Sequence, residues 1–509
     1  MGKALKFDSI SFLFFAAFVF VFYGCFADDA FIVARYAENL AHGVGLVFNQ
    51  GDAVNALTSP LHAFFMAGLA WLTGGSVRAY VLLAAVAVFW VAGWAAHRMF
   101  AFSPEKARLY QFLLLTFPPV VFWTLGGLET PILLVLILLI CACAAQDSSV
   151  RGDMGILVLC ALAGFTRYDM VLLLGPLVCA VLWRRKGNIG VWGVTVFLAA
   201  LFFLWFAWCY WHYGDLLPTS FYNKNISKSS AGVLGKGMFY ELSLGALLLL
   251  PLALALLLGR RRLAENEKLK SSVTGFNALM AGSLFYGVYG LFAGTVHMMY
   301  LYRLFVPIIP VLLWAVLRRL PVTPKPLGYG LMGLVQLALV YGIDQHSLNF
   351  NLALLIPGGQ DWYEFSRAGA GSSNKQANKV FAQQAQAIER HWQAQGRDTA
   401  VVPRMAVWTE GQPGYQLKNF YVYGPLVSYR HECRADYFKM AHYVQDIQYL
   451  PADAAPPQAK NAQGWELVTY DDMPIREWGG ERKLIRVLWF FKQPELAHTL
   501  PARVHGACR

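Results

Sequence analysis

Charge is scarce in this sequence: Asp, Glu, Lys and Arg make up only 14% of its 509 residues, against roughly 25% in a soluble globular chain. A water-soluble fold is thereby excluded for the main body. Cysteine pairs at metal-ligand spacing are missing too. Of eight cysteines, Cys25, Cys141, Cys143, Cys160, Cys179 and Cys209 lie in apolar runs, where simple burial is the expectation. Cys433 and Cys508 fall in the polar C-terminal region, where a disulfide is open if that region lies outside the cytoplasm. No glycine-rich loop follows a strand-like run, so a phosphate-cradling nucleotide fold has no signature. His42 and His62 show no paired-ligand spacing, and satisfied or exposed histidines are expected there.

Apolar residues are abundant, at 57% of the chain, with 15% aromatic. They gather in stretches of about 20 between short polar loops, the length that crosses ~30 Å of hydrocarbon as helix. About 11 crossings are read, beginning near Phe7, Ala79, Leu109, Pro131, Met154, Met170, Val191, Phe239, Val273, Leu304 and Leu327. The first follows Lys3 and Lys6 and ends in Ala27-Asp28-Asp29 without a small-residue cleavage site, so it reads as a retained helix.

The net charge of +12 does not point to nucleic acid, because the basic residues stand at the ends of apolar spans. With a cytoplasmic N-terminus, one side collects Arg98, Lys106, Arg108, Arg151, Arg184, Arg185, Lys186, Arg260 to Arg262, Arg318, Arg319 and Lys325. That assignment requires Pro60 to Leu72 to lie at the interface rather than cross. The outer loops are then Ala27 to Arg78, Thr124 to Thr130, Thr166 to Asp169, His212 to Gly237 and Gly294 to Arg303. The last span ends near Asp344. The chain therefore divides into a membrane domain, residues 1–345, and an outer soluble domain, residues 346–509. In the latter, Gln376 to Gln395 has helical period, while Thr399 to Trp408, Asn419 to Val422 and Leu484 to Phe491 read as strands. The expected fold is mainly α: a polytopic helical membrane body with juxtamembrane helices in its outer loops and a small C-terminal α/β domain.

The most informative segment follows the first span. From Asp28 to Gly43, Ile32, Tyr36 and Leu40 recur every four residues while Arg35, Glu38, Asn39 and His42 occupy other faces. An amphipathic helix along the outer surface is expected, with Asp29 as its N-cap and Gly43 at its end. The alternative use of the acidic pair is as a base at the membrane boundary, and neighbours ~100° apart on a helix do not share one role.

The run DDAFIVARYAENLAHGVGLVFNQGDAVNALTSPLHAFF resembles the first outer loop of the GT-C glycosyltransferases related to mycobacterial arabinofuranosyltransferases. GGLETP at Gly126 to Pro131, FTRYD at Phe165 to Asp169, HYGDLLPTSFYNK at His212 to Lys224 and YRLFVPIIP at Tyr302 to Pro310 extend the resemblance in order over roughly the first 310 residues. In that pattern Gly45 to Asn49 is a strand and the Thr58-Ser59-Pro60 run starts a helix. This chain departs in having Asn55-Ala56-Leu57 where relatives often have Glu-Gly-Tyr, and Tyr168 where they have Pro.

The resemblance implies a GT-C fold and transfer of a sugar, with arabinofuranose as the leading pentose, from a polyprenyl-phosphate donor. The acceptor would be an envelope glycan, a lipid or a pilin-like protein, on the periplasmic side of a bacterial inner membrane. Asp28 and Asp29 take the catalytic position, with Arg35, Asn39 and Thr58 near the pocket and a divalent cation near the acidic pair left open. Arg35, Lys224 and Arg303 are candidate phosphate holders.

Other outer-loop residues carry two readings. Glu129 favours a helix dipole or lines the site; Arg167 and Asp169 pair or snorkel. Tyr222 and Lys224 are solvated or touch phosphate, and His297, Tyr300 and Tyr302 form an interface belt or flank Arg303. Trp408 to Gly411 and Gly414-Tyr415 pack in the tail or line an acceptor cleft. A transporter or flippase of lipid-linked sugars is the rival reading, disfavoured because the ionisable residues collect in outer loops rather than at the midplane.

Overall fold

In the computed structural model, the described residues are 8–224, 273–293, 300–345, 370–396, 401–427, 440–476 and 482–494, except 75–76, 147, 321, 324–325, 408, 425 and 452, plus scattered positions between 238 and 262. The spans expected near Phe239 and the possible Cys433–Cys508 pair lie outside them in whole or large part.

Apolar runs bounded by proline and glycine fold as helices: α1 (Ser9–Phe22), α2 (Asp28–Ala41), α3 (Pro60–Thr73), α4 (Val77–Met99), α5 (Pro104–Thr116) and α6 (Pro118–Leu125). Then come α7 (Thr130–Ala144), α8 (Val150–Thr166), α9 (Met170–Arg184), α10 (Ile189–Tyr213), α11 (Thr219–Lys224) and α12 (Val273–Ala293). A 3-10 stretch, Tyr300–Ile308, leads into α13 (Ile309–Arg319), followed by α14 (Pro326–Gln345). Proline takes the first helical turn of α3, α5, α6 and α7, where its missing N–H has no partner to lose. The run expected as one span from Leu109 is instead two helices, because Pro118 cannot continue α5 and Phe117 turns extended before it.

By length and composition, Val77–Met99, Ile189–Tyr213 and Leu301–Arg319 could each cross a membrane, and Ser9–Phe22, Thr130–Ala144 and Met170–Arg184 are shorter apolar helices. The chain is a multi-pass membrane protein. Several basic clusters come together through contacts. Gln146 donates to the Arg98 carbonyl, Arg185 to Ser148, and Arg184 and Arg185 both clasp Asp153. Lys106 reaches the Arg318 carbonyl, and β1 (Arg261–Arg262) pairs antiparallel with β2 (Val322–Thr323).

The tail holds α15 (Ala370–Ala394), α16 (Gly411–Gln416) and a five-stranded sheet. Its strands are β3 (Arg404–Ala406), β4 (Tyr421–Tyr423), β5 (Tyr443–Pro451), β6 (Glu466–Arg476) and β7 (Arg482–Phe491), in the order β4-β3-β5-β7-β6. The strand β3 runs parallel to β4 and β5, whereas β5, β7 and β6 are antiparallel. The α15 side chain Gln384 donates to the Val487 carbonyl and accepts from Trp489 Nε1, pinning the helix to the sheet.

The core of this tail is not its own. Met405, Val422, Tyr443, Val487 and Trp489 form one cluster with Ile32, Val33, Tyr36, Leu46, Phe48 and Leu57 of the first loop. Polar contacts reinforce the junction. Asn49 exchanges two hydrogen bonds with the Val422 backbone at 2.9 and 3.0 Å, and the Tyr421 hydroxyl donates to Asp52 at 2.6 Å. Asn378 donates to the carbonyls of Gly24 and Phe26.

Arg35 is buried at the centre of that junction. Its guanidinium donates to the carbonyls of Phe48 (2.8 Å), Gly414, Leu417 (3.4 Å), Lys418 (3.4 Å) and Phe420 (3.0 Å). Burial draws its pKa down to about 10, with Glu38 opposing, so it stays charged at neutral pH. As a phosphate holder it is therefore corrected: its donors are spent on backbone oxygens. Arg35→Leu leaves those carbonyls without a donor and is expected to cost about 3 kcal/mol or more. Thermal unfolding in detergent, with limited proteolysis of the tail, reads the loss; an unchanged melting temperature would refute this role.

Candidate active site

The first loop presents its two aspartates in opposite ways. The helix α2 begins at Asp28, with Ala27 at the N-cap and no side-chain cap, which corrects the expectation that Asp29 caps it. The Asp28 carboxylate is occupied elsewhere: it accepts the N–H groups of Gly411 (3.1 Å) and Gln412 (2.8 Å) at the start of α16. Those amides have no partner inside their own helix, so an anion satisfies them. A Cβ on Gly411 would overlap the Asp28 carbonyl, which fixes glycine there. Burial raises Asp28 to about 6, the two amides pull it down, and Asp29 pushes it up again.

Asp29, ~100° round the helix, keeps 32% of its side chain exposed and lies 3.7 Å from the Arg303 guanidinium. Arg303 is buried and grips Glu129 with one nitrogen at 3.1 and 3.2 Å from its two oxygens. Glu129 also stands 3.6 Å from Arg167, and Arg167 forms a two-pronged pair with Asp169 at 3.1 and 2.6 Å. The Tyr286 hydroxyl donates to Asp169 at 3.1 Å. Asp29, Arg303, Glu129, Arg167, Asp169 and Tyr286 thus form one continuous chain. Burial raises the Glu129 carboxyl, but Arg303, Arg167 and His62 together outweigh it and hold the group down at about 2.

Two residues just before Arg303 adopt left-handed backbone without being glycine, Leu301 at φ 46° and Tyr302 at φ 56°. Each costs about 1–3 kcal/mol and persists only where neighbours force it. Trp123 Nε1 donates to the Leu301 carbonyl at 3.0 Å, and the Arg303 guanidinium sits 5.4 Å from the Trp123 ring centre. The strain aims Arg303 back at the ends of α2 and α7.

No family model matches the chain. Over 268 residues, 46% of this chain and 41% of the relative, it is 29% identical to a terminal β-(1→2)-arabinofuranosyltransferase of Mycobacterium tuberculosis. The chain thus spans under half the length of that curated relative. Among solved structures, it superposes on ArnT from Cupriavidus metallidurans bound to undecaprenyl phosphate with a TM-score of 0.53, at 14% identity over 94% of this chain and 97% of that one. The apo form of ArnT gives 0.52 at 16% identity and the same coverage. The chain has the GT-C fold of ArnT. That match shared by sequence motif and by shape is in keeping with the GT-C resemblance read from the first loop.

Within this GT-C frame the remaining sequence candidates fall into place unevenly. Asn39 donates to the carbonyls of Val47 and Phe48 and thereby shapes the loop. Gly45 to Asn49 is correspondingly not a strand: side chains of Asn39 and Arg35 take carbonyls that a ladder would need, leaving an isolated bridge between Asn49 and Asp52. Thr58 is exposed at a bend before α3, and Tyr302 is half-buried beside Arg303. Tyr222 and Lys224 belong to α11 but their side chains, like all of His297, lie outside the described residues.

A divalent cation finds a poor set of donors: Asp28 is filled by amides, Asp29 faces a guanidinium, and no group of three His, Cys, Asp or Glu converges among the described residues.

Two residues that sequence left with open readings, Glu410 and His62, gain importance from their surroundings. Glu410, buried just before α16, accepts the Leu426 N–H at 3.0 Å; burial raises it to about 8, that amide pulls it down, and Asp28 and Asp29 push it up. His62 is fully buried with its ring 4.8 Å from that of Tyr80, and burial lowers it to about 4 against the pull of Glu129. A glutamate 382 positions after Asp28 leaves no local signal in the chain.

The acids at the tail junction set a pH dependence. For Asp28 and Glu410 the folded pKa lies above the unfolded value, so their contribution is fully present below about 4 and lost as pH rises through about 6 and then about 8. Glu129 has the opposite sign and loses its contribution only as pH falls through about 2. Thermal unfolding between pH 5 and 9 is expected to show a falling melting temperature, and Glu410→Gln to flatten the upper half of that slope. A melting temperature that climbs over this range contradicts the assignment.

Proposed function

We propose that this chain transfers a sugar, with a pentose such as arabinofuranose the leading case, from a polyprenyl-phosphate donor to an envelope glycan, lipid or protein on the periplasmic side of a bacterial inner membrane. The observation that carries the reading is Asp29: a partly exposed carboxylate 3.7 Å from a buried arginine, at the end of apolar helices. The arabinofuranosyltransferase named above and the undecaprenyl phosphate in ArnT support the sugar and the lipid.

The residues suggest a division of labour. The Asp29 carboxylate takes the proton of the acceptor hydroxyl as its oxygen attacks the anomeric carbon. The bond from that carbon to the phosphate oxygen breaks, and the electron pair leaves with the polyprenyl phosphate. Such a leaving group needs no proton if positive charge meets it. Arg303 supplies that charge, since only one of its terminal nitrogens is engaged by Glu129. Glu129 in turn keeps Arg303 from being buried alone, and Arg167 with Asp169 holds Glu129 in place. Asp28 docks the tail and is no base.

Asp29→Asn is expected to lower transfer by about 10²-fold or more, with expression and melting temperature unchanged. Asp28→Asn should do the reverse, chiefly lowering the melting temperature. Transfer of labelled sugar from undecaprenyl-phosphate arabinofuranose by purified protein measures both. A protein that moves the lipid but forms no glycosidic bond is a flippase, and full activity of Asp29→Asn eliminates this base.

A further inference from the structure

Among the described residues, His62 is the side chain with two buried polar atoms left without partners, where others have one. It is fully buried, and neither ring nitrogen has a hydrogen-bond partner among the described residues. A buried donor or acceptor left unmade costs stability comparable to a lost hydrogen bond, and here both ends of one ring are unmade. Tyr80 packs against the ring but turns its hydroxyl to the Leu128 carbonyl at 2.7 Å, so it does not satisfy the imidazole.

His62 does not stand alone. Among the described residues, the Nε of Arg303, the hydroxyl of Thr130 next to Glu129, and the hydroxyl of Ser59, which precedes α3 by one residue, are likewise buried and unpartnered. His62 lies close enough to Glu129 and Arg303 to feel both charges. Neutral acceptors and donors thus flank an arginine whose carboxylate partner is already in place.

The chemistry of that set selects its ligand. A phosphate needs positive charge, which Arg303 offers and the uncharged His62, Ser59 and Thr130 do not, and a bare cation would meet Arg303. A hydroxyl both donates and accepts, adds no charge, and can satisfy an imidazole nitrogen and a neighbouring hydroxyl together.

We propose that His62 is a specificity-determining residue that hydrogen-bonds a ring hydroxyl of the donor's sugar, together with the unpartnered polar atoms of Ser59, Thr130 and Arg303. The assignment rests on the transferase reading above and names the group that reads the sugar rather than the lipid. A site built to bond a hydroxyl discriminates strongly against ligands lacking it, because its own polar atoms are then left unpaired.

The test separates sugar from lipid. His62→Phe keeps a ring against Tyr80 and removes the orphaned nitrogens; His62→Gln keeps one polar group. Without ligand, His62→Phe is expected to melt at the wild-type temperature or above it, because an unmet polar group has been removed. Its affinity for undecaprenyl-phosphate arabinofuranose should fall at least about tenfold and that for sugar-free undecaprenyl phosphate should stay within about twofold, with His62→Gln intermediate. In turnover, the loss appears in the KM for the donor.

Three results would overturn the assignment: equal losses for both lipids, no preference of the wild type for the sugar-bearing lipid, or a markedly lower melting temperature of both ligand-free variants, which marks a structural histidine satisfied by water. Absence of any product from the wild type would instead sink the transferase reading.

Discussion

One short helix is held at both ends by one longer helix, and the site depends on that grip. Asp28 and Arg35 stand seven residues apart on α2, about 10 Å along its axis, while Gly411–Gln416 spans about 9 Å. The carboxylate meets the free amides at the start of α16 and the guanidinium meets the free carbonyls at and beyond its end. Each charge faces the pole of opposite sign. Because Asp28 is committed in this way, its neighbour is rotated towards the membrane body, where Arg303 lies.

The membrane side answers with its own balance. A lone arginine at the boundary of an apolar bundle is expensive, and Glu129 between Arg303 and Arg167 makes both affordable. The arrangement leaves one face of Arg303 towards Asp29 without a close hydrogen bond. The charges are thus fixed by scaffold partners before any ligand arrives, the condition under which electrostatic stabilisation works without reorganisation. The left-handed turn at Leu301 and Tyr302 belongs to the same economy, since it is tolerated only because Trp123 holds it from α6.

The helical body was legible because hydrophobic runs and proline starts are local signals: α4, α7, α8, α9 and α10 lie where the apolar stretches were read. The α2 helix and α15 from Gln376 onward were legible from periodicity, and the end of α2 from Gly43. What failed to show in sequence depended on distant partners. Asp28 and Asp29 look alike in the chain, and only amides 383 and 384 residues away tell them apart. Arg35 reads as a surface cation until five carbonyls surround it. The expected strand at Gly45 to Asn49 is absent for a related reason, as side chains took the carbonyls first. His62 was visible but uninformative, since its meaning lies in the partners it lacks.

The separation of Asp28 from Gly411 also has a consequence for how the molecule is made. A ribosome adds about 5–20 residues per second, so roughly 20 to 80 seconds pass between the emergence of the acidic pair and that of the amides that receive it. Throughout that interval Ile32, Val33 and Tyr36 have no β-sheet to cover them. The nascent first loop therefore waits with its apolar face uncovered until the tail folds over it, and the junction that orients the acidic pair comes into being as a late event of biogenesis.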